Sequence, residues 1–440
     1  MLAPTGTIRP IIIFLLSLLS LLVYLKLSYH PSLQNFKVWS ASSFQNESLA
    51  NHPLSEIAIH DDNEQAPRIR QASMVFGDSE NAVIERSLKT HFRHGKKWGN
   101  PTHVLRQDSV GGKQFGKLVF NKILYLHSLS VREMVKPPQK RCEWIVWFDS
   151  DSVLLNEDIP WSAFLPPGDG FQHVHLIGAK DWNGFNSGVF FLRMNAWTVQ
   201  MLTDALALPS LRKDIDLGYN TEQTALCWVF EQSGRYEHIV YQPRPWFNGY
   251  EHGVDAPIVQ SGDLLIHFAG YAPERKGPSM GKWLDRLEDG QQRRTLQIPM
   301  ENTTYPHQIN DYWQRLRNAQ RTFDRVGRLK GHWDNITNHD DLEKKENALK
   351  KVCWEEAFNR KRMLLRIDEL NKALDVAEKE KADAPMKAEK EEKERKKKEK
   401  EDERKQKEQE EAKKKENDEE TKERAKENFV EQGEKIKSDH

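Results

Sequence analysis

The chain has 440 residues, 66 basic and 66 acidic side chains and a charged fraction of 30%, with a mean hydropathy of −0.77. Zero formal charge argues against a nucleic-acid binder, and the three cysteines Cys142, Cys227 and Cys353, none in a CxxC pair, argue against a disulfide scaffold or structural zinc site. The polar average comes from residues 387–428, whose only apolar side chains are Ala388, Ala412 and Ala425; the rest has the composition of one large or two modest globular domains.

Residues 11–25 read IIIFLLSLLSLLVYL, with Arg9 before them and Lys26 after. Extended to residues 10–27, the run meets the lower limit of about 17 residues for a membrane span. A cleaved signal peptide is the competing reading, but no small-x-small site follows, so an uncleaved signal anchor is expected. The flanking cations nearly balance, giving only a weak preference for a cytosolic amino end. Sequons at Asn46, Asn302 and Asn335 agree with a luminal carboxyl side. Residues 28–71 are rich in Ser, Asn, Gln and His, as a stem would be.

A folded region is expected from about Ala72. Strands are predicted at residues 74–76 and 102–105, and helices at 82–94 and 120–135. WIVWF, residues 144–148, has the pattern of a strand buried on both faces of a mainly parallel sheet. Further strands are expected at 174–177, 188–192 and 264–268. This alternation predicts an α/β nucleotide-binding architecture. Beyond Tyr305 the chain turns helical and polar, with Met363, Ile367, Leu370 and Leu374 in one narrow stripe, and the Lys/Glu run is expected to be a solvated, salt-bridged helix.

The chemistry centres on WFDSD. If the strand stays extended, Asp149 and Asp151 project on one face and offer hard oxygen ligands to Mg or Mn. A strand-end turn with surface carboxylates is the plain alternative. Asp214 and Asp216 share the spacing in a charged setting and are expected to be an ordinary solvated turn. Gly111 begins a GxxxxGK run that lacks the following Ser or Thr, because Leu118 stands there. GPSMG, residues 277–281, is flanked by Pro and Lys, so Ser279 is expected to be a loop serine.

Asn183 and Asn186, in KDWNGFNSG, either satisfy a tight turn or meet sugar hydroxyls. Glu222 and Gln223 open an amphipathic helix, where they serve either its dipole and cap or a reaction. His267, in DLLIHFAG, is either a core histidine or a metal ligand. Trp182, Trp246 and Tyr250 either pack in the core or offer flat faces to a glycan.

Taken in order, WFDSD, KDWNGFNSGVFFLR, TEQTAL, YQPRPWFNGYE and LLIHFAG resemble glycosyltransferase family 34, the fungal Golgi α-galactosyl- and α-mannosyltransferases and their plant xyloglucan xylosyltransferase relatives. The resemblance covers about residues 72–287. It implies a GT-A fold and a single-pass type II Golgi membrane protein with a luminal catalytic domain. It also implies a retaining hexosyl transfer, galactose or mannose favoured, from UDP-galactose or GDP-mannose to a mannose-containing glycan, with Mn (or Mg). By the same resemblance Asp149, Asp151 and His267 are the metal ligands, Lys122 contacts the donor, Asn186 lines the sugar pocket, and Glu222 and Gln223 lie at the anomeric carbon. The family more often has Asp where Glu222 stands. Retention by double displacement or by front-face attack stays open. A membrane-tethered, non-catalytic subunit of a glycosyltransferase complex is the alternative.

The resulting division is a cytosolic tail (1–9), signal anchor (10–27), luminal stem (28–71), catalytic domain (72–304), helical extension (305–376) and low-complexity tail (377–440).

Overall fold

The structure is a computed structural model, and it describes residues 66–77, 81–111, 115–232, 234–252 and 259–437. The expected anchor, most of the stem and Asn46 lie outside the described residues. Among the described residues, no helix is long and apolar enough to cross a membrane.

A six-stranded sheet organises the folded region. Its strands are β1 (Ile69–Met74), β2 (Thr102–Leu105), β3 (Trp144–Phe148), β5 (Leu176–Asp181), β6 (Gly184–Arg193) and β7 (Ile239–Tyr241), in the order β2-β1-β3-β6-β5-β7. Pairings β1–β2, β1–β3 and β5–β7 are parallel, and β6 alone runs against its neighbours. The α/β, mainly parallel architecture expected from the sequence is therefore present.

β3 shows why. All five of its residues are buried. Trp144, Val146 and Phe148 enter one apolar cluster, and Ile145 and Trp147 enter the other. Two-residue alternation sends successive side chains to opposite faces, so only a strand covered on both sides can be apolar throughout.

Two helices depart from expectation only at their ends. α1 (Ala82–Trp98) begins at Asn81, whose side chain accepts from the Val83 and Ile84 amides. It runs past residue 94 to Gly99, which ends it with φ 64°. α2 (Phe120–Met134) lies where predicted. The first strand does not: β1 ends at Met74 and begins at Ile69, so the expected boundary between residues 71 and 72 falls inside it. Its polar members Arg70, Gln71 and Ser73 masked it; Gln71 is buried and donates to Thr102 Oγ1 at 2.9 Å, while its Oε1 accepts from Trp161 Nε1 at 2.9 Å.

A second, two-stranded sheet sets the site. β4 (Ser152–Leu154) pairs antiparallel with β8 (Leu265–His267), with Ser152 opposite His267. Helices α3 (Ala196–Leu211) and α4 (Thr221–Phe230) pack on one face of the large sheet. On the other side, α5 (Pro273–Glu288) and α6 (Gly290–Leu296) precede the long α7 (Tyr305–Lys330) and α8 (His339–Glu355).

Ser279 lies within α5, not in a loop: Pro273 occupies the first turn, where its missing N–H costs nothing, and the helix continues through Pro278. The last helix, α9 (Arg360–Lys437), is 78 residues long. Its predicted stripe of Met363, Ile367, Leu370 and Leu374 is buried in the same cluster as Leu316, Val326 and Leu349. Packing continues beyond residue 376, through buried Ala377 and through Glu380, which accepts from the Thr337 amide at 2.8 Å. Farther on, pairs such as Glu389–Lys393 (2.6 Å) and Glu401–Lys405 (3.0 Å) bridge successive turns of a solvated helix. All three cysteines are free.

Candidate functional site

Asp149 and Asp151 lie in the turn that joins β3 to β4, and not on the extended strand itself. The Asp149 amide donates to Gly188 O at 2.7 Å, the Ser152 amide closes the turn on Asp149 O at 3.1 Å, and the Phe268 amide donates to Asp151 O at 2.9 Å. The turn is thus held by β6 on one side and by the β8 end on the other. Because β8 pairs with β4, His267 arrives beside the two carboxylates although it lies over a hundred residues away in sequence. Its Nε2 is 3.3 Å from Asp151 Oδ1 and 3.9 Å from Asp149 Oδ2. One ligand atom from each of the three residues falls within 4.8 Å of the others.

Two lysines complete the charge pattern. Lys122, on α2, has a side chain only 3% exposed. Its Nζ lies 3.0 Å from Asp149 Oδ1, 3.1 Å from Glu222 Oε1, 3.1 Å from Ser187 O and 3.2 Å from Ser187 Oγ. Lys276, on the first turn of α5, sits 2.5 Å from Asp151 Oδ2 and is partly exposed. Three carboxylates therefore face two ammonium groups.

The two aspartates differ electrostatically. Burial and the neighbouring Asp151 charge raise the Asp149 carboxyl, although Lys122 opposes them. Burial also works against the charged form of Asp151, but the His267 ring and Lys276 outweigh it and hold that carboxyl below the usual range. Lys122 is held above its ordinary value: burial opposes the charge, and the Asp149 and Glu222 carboxylates overcome it.

A chain of hydrogen bonds fixes the imidazole. Asp181 Oδ2, which can only accept when ionised, receives Asn186 Nδ2 at 2.8 Å and the Tyr250 hydroxyl at 2.9 Å. That orientation turns Asn186 Oδ1 toward Asn248 Nδ2 (2.8 Å) and the Gly188 amide (2.9 Å). Asn248 Oδ1 then faces His267 Nδ1 at 2.8 Å, so Nδ1 carries a proton and donates it, and Nε2 is the atom turned to the carboxylates. The set of two carboxylate oxygens and one imidazole nitrogen, with the far side of the ring already hydrogen-bonded, fits a divalent cation such as Mn or Mg.

α4 delivers Glu222 and Gln223 from its first turn. Neither caps the helix. Glu222 Oε1 accepts from Lys122 and from Ser187 Oγ (3.0 Å), and Gln223 Oε1 accepts the Ser187 amide at 2.9 Å. The structure therefore gathers Lys122, Asp149, Asp151, Asn186, Glu222, Gln223 and His267 into one site. Lys122, expected to touch a donor, has its ammonium hydrogens engaged inside the protein.

Asn183 is the turn residue of its pair, its amide donating to Asp181 Oδ1 at 2.7 Å. Trp246 and Tyr250 are buried, and Trp182 is exposed. Asp214 lies apart, in an exposed pair with Arg212 at 2.7 Å. Sequence reasoning missed Asp181, Ser187, Asn248 and Lys276. The first three stand inside the quoted motifs as polar residues beside site residues; Lys276 carries no local signal.

Comparison with known proteins follows the same lines. Residues 168–277 match the model of the galactosyl transferase GMA12/MNN10 family. The matched span holds Asn186, Glu222, Gln223 and His267, but not Lys122, Asp149 or Asp151. An α-1,2-galactosyltransferase of Schizosaccharomyces pombe is 26% identical over 274 residues, 55% of this chain and 63% of the relative. A probable α-1,2-galactosyltransferase of the same yeast is 26% identical, over 56% of this chain and 79% of its own length. A probable glycosyltransferase of Oryza sativa subsp. indica is 28% identical over 27% of this chain and 30% of its own. The first of these alignments thus spans less than two thirds of the relative's length.

Proposed function

We propose that this chain, which belongs to the galactosyl transferase GMA12/MNN10 family, glycosyltransferase family 34, is a metal-dependent retaining glycosyltransferase. It moves a hexose from a nucleotide-diphosphate sugar to a glycan acceptor. The observation that carries the reading is the convergence of Asp149, Asp151 and His267 within 4.8 Å, next to the buried Lys122–Glu222 pair.

Three carboxylates gathered around two ammonium groups and one imidazole suit a dication and then a diphosphate. When bound, the cation neutralises charge on the departing diphosphate. Asp149, Asp151 and His267 would hold it. Lys122 keeps Asp149 and Glu222 at fixed separation, and Ser187 and Gln223 hold the same wall. Glu222 supplies a carboxylate for positive charge developing at the anomeric carbon without needing a covalent bond.

The relatives' names favour galactose over mannose as the transferred sugar. A type II Golgi location with this domain in the lumen accords with the apolar run at residues 10–27 and with Asn302, which is exposed. The test is a transfer screen with UDP-galactose, UDP-glucose, UDP-xylose and GDP-mannose against α-mannoside acceptors. Turnover with UDP-galactose is expected; inertness toward all four would leave a non-catalytic subunit as the better reading.

A further inference from the structure

Trp182 and Asn183 form the two-residue tip of the β5–β6 hairpin, between the paired residues Asp181 and Gly184. The tip is rigid. Asp181 Oδ1 accepts the Asn183 amide at 2.7 Å, and Gly184 has φ 93°, a conformation other residues rarely adopt. From it Trp182 projects with 68% of its surface exposed. Among the described tryptophans, Trp98 is also exposed, but its Nε1 donates to Glu157 O at 2.8 Å. Trp182 makes one ring contact, edge-to-face with Tyr250 at 5.9 Å and 70°. That leaves an indole face and the indole N–H open to solvent.

The placement is tied to the metal triad. The Tyr250 ring is 6.0 Å from the His267 ring, and its hydroxyl is bonded to Asp181 and Asn186, the start of the chain that orients His267. Trp182 thus stands one ring beyond Tyr250 from the candidate metal ligands. A single large aromatic exposed among polar neighbours is too narrow an apolar surface for a protein partner. It matches a pyranose, which presents C–H groups to an aromatic face and hydroxyls to surrounding polar groups.

We infer that Trp182 is the platform of an acceptor subsite, stacking on a pyranose ring of the glycan that receives the transferred sugar, with Asp181 and Asn183 at its rim. This rests on the glycosyltransferase reading above. The donor sugar would sit at Asp149, Asp151 and Glu222, so a ring held one aromatic farther out belongs to the acceptor.

The test compares the full chain with Trp182→Ala and Trp182→Tyr, using equilibrium binding of a linear α-mannose trisaccharide in one arm and of UDP with Mn in the other. Trp182→Ala is expected to weaken trisaccharide binding about tenfold or more, with Trp182→Tyr recovering most of it and UDP binding unchanged. Unchanged trisaccharide binding in Trp182→Ala, or an equal loss of UDP binding, would overturn the subsite. So would a wild-type chain that hydrolyses a nucleotide sugar yet binds no mannoside, and in that case the transferase reading stands. Trisaccharide binding that depends on Trp182, in a chain that never binds UDP, would keep the subsite and remove the transferase reading instead.

Discussion

Asn248 Oδ1 lies 2.8 Å from His267 Nδ1, and this one contact decides which ring nitrogen faces Asp149 and Asp151. The orientation is inherited from Asp181 through Asn186, because a carboxylate at one end leaves each amide in the chain a single consistent direction. Removing the acceptor with Asn248→Leu should weaken Mn binding about 10- to 100-fold, the usual range for an outer-shell partner of a metal-bound histidine. Asn248→Asp keeps an acceptor and should stay closer to the parent. Calorimetric titration with Mn measures both; equal affinities in all three proteins would show that the amide has no part in setting the ring.

Gly188 has a different reason to be small. A Cβ there would lie 2.0 Å from His267 Cε1 and 2.5 Å from Nδ1. Gly188→Ala must therefore move the imidazole. Nucleotide-sugar hydrolysis is expected to fall on the order of 100-fold, the effect of a displacement of about 1 Å in a reacting site. Retention of more than half the activity would mean that the ring relaxes without consequence.

Much of this was legible in the chain. WIVWF announced a strand covered on both faces because only that environment tolerates five consecutive apolar residues, and the carboxylates had to follow at its end. What the sequence hid was tertiary. The approach of His267 depends on the β4–β8 pairing, and three-residue strands carry little periodicity to detect. β1 was displaced because Gln71 and Ser73 are polar yet buried, with Gln71 satisfied by Thr102 and Trp161. Ser279 reads as a loop serine because its Pro- and Lys-rich surroundings look like a breaker, whereas buried Met280, Trp283, Leu284 and Leu287 anchor α5 against the core. Lys276 escaped notice because a surface-like lysine acquires meaning only from the Asp151 it meets.

Lys122 offers a stability test. It is the cation for two carboxylates, and its own side chain and that of Glu222 are nearly inaccessible. Lys122→Met strands Glu222 and should lower the unfolding free energy by about 3 to 5 kcal/mol. Adding Glu222→Gln removes the stranded charge and should recover part of that loss. Urea unfolding of the single and double variants measures it; strict additivity would show that the two groups are not coupled.

His91 and His94 predict an acid-sensitive fold. His91 is stacked on Phe148 at 3.7 Å, its Nε2 is 3.0 Å from Ser152 O, and His94 Nε2 is 2.8 Å from Ile159 O. Burial lowers His91 from 6.5 to about 3 and His94 from 6.5 to about 4. The unfolded chain binds these protons first, so stability is full above pH 6.5 and falls as the pH drops toward 4 for His94 and 3 for His91. Each histidine should contribute a slope on the order of 1 kcal/mol per pH unit inside its window. Denaturant midpoints from pH 7 to 4.5 should decline, and less steeply for His91→Gln; identical slopes would contradict the assignment.

The proposed role of Asp149, Asp151 and His267 is to hold a divalent cation used on a nucleotide sugar. Its most direct test is hydrolysis of UDP-galactose by the wild-type chain and by Asp151→Ala, each with Mn and after chelation. Mn-dependent release of UDP by the wild type is expected, with a loss of about 100-fold or more on chelation or in Asp151→Ala. Hydrolysis that is indifferent to Mn, or equal in the two proteins, would contradict it.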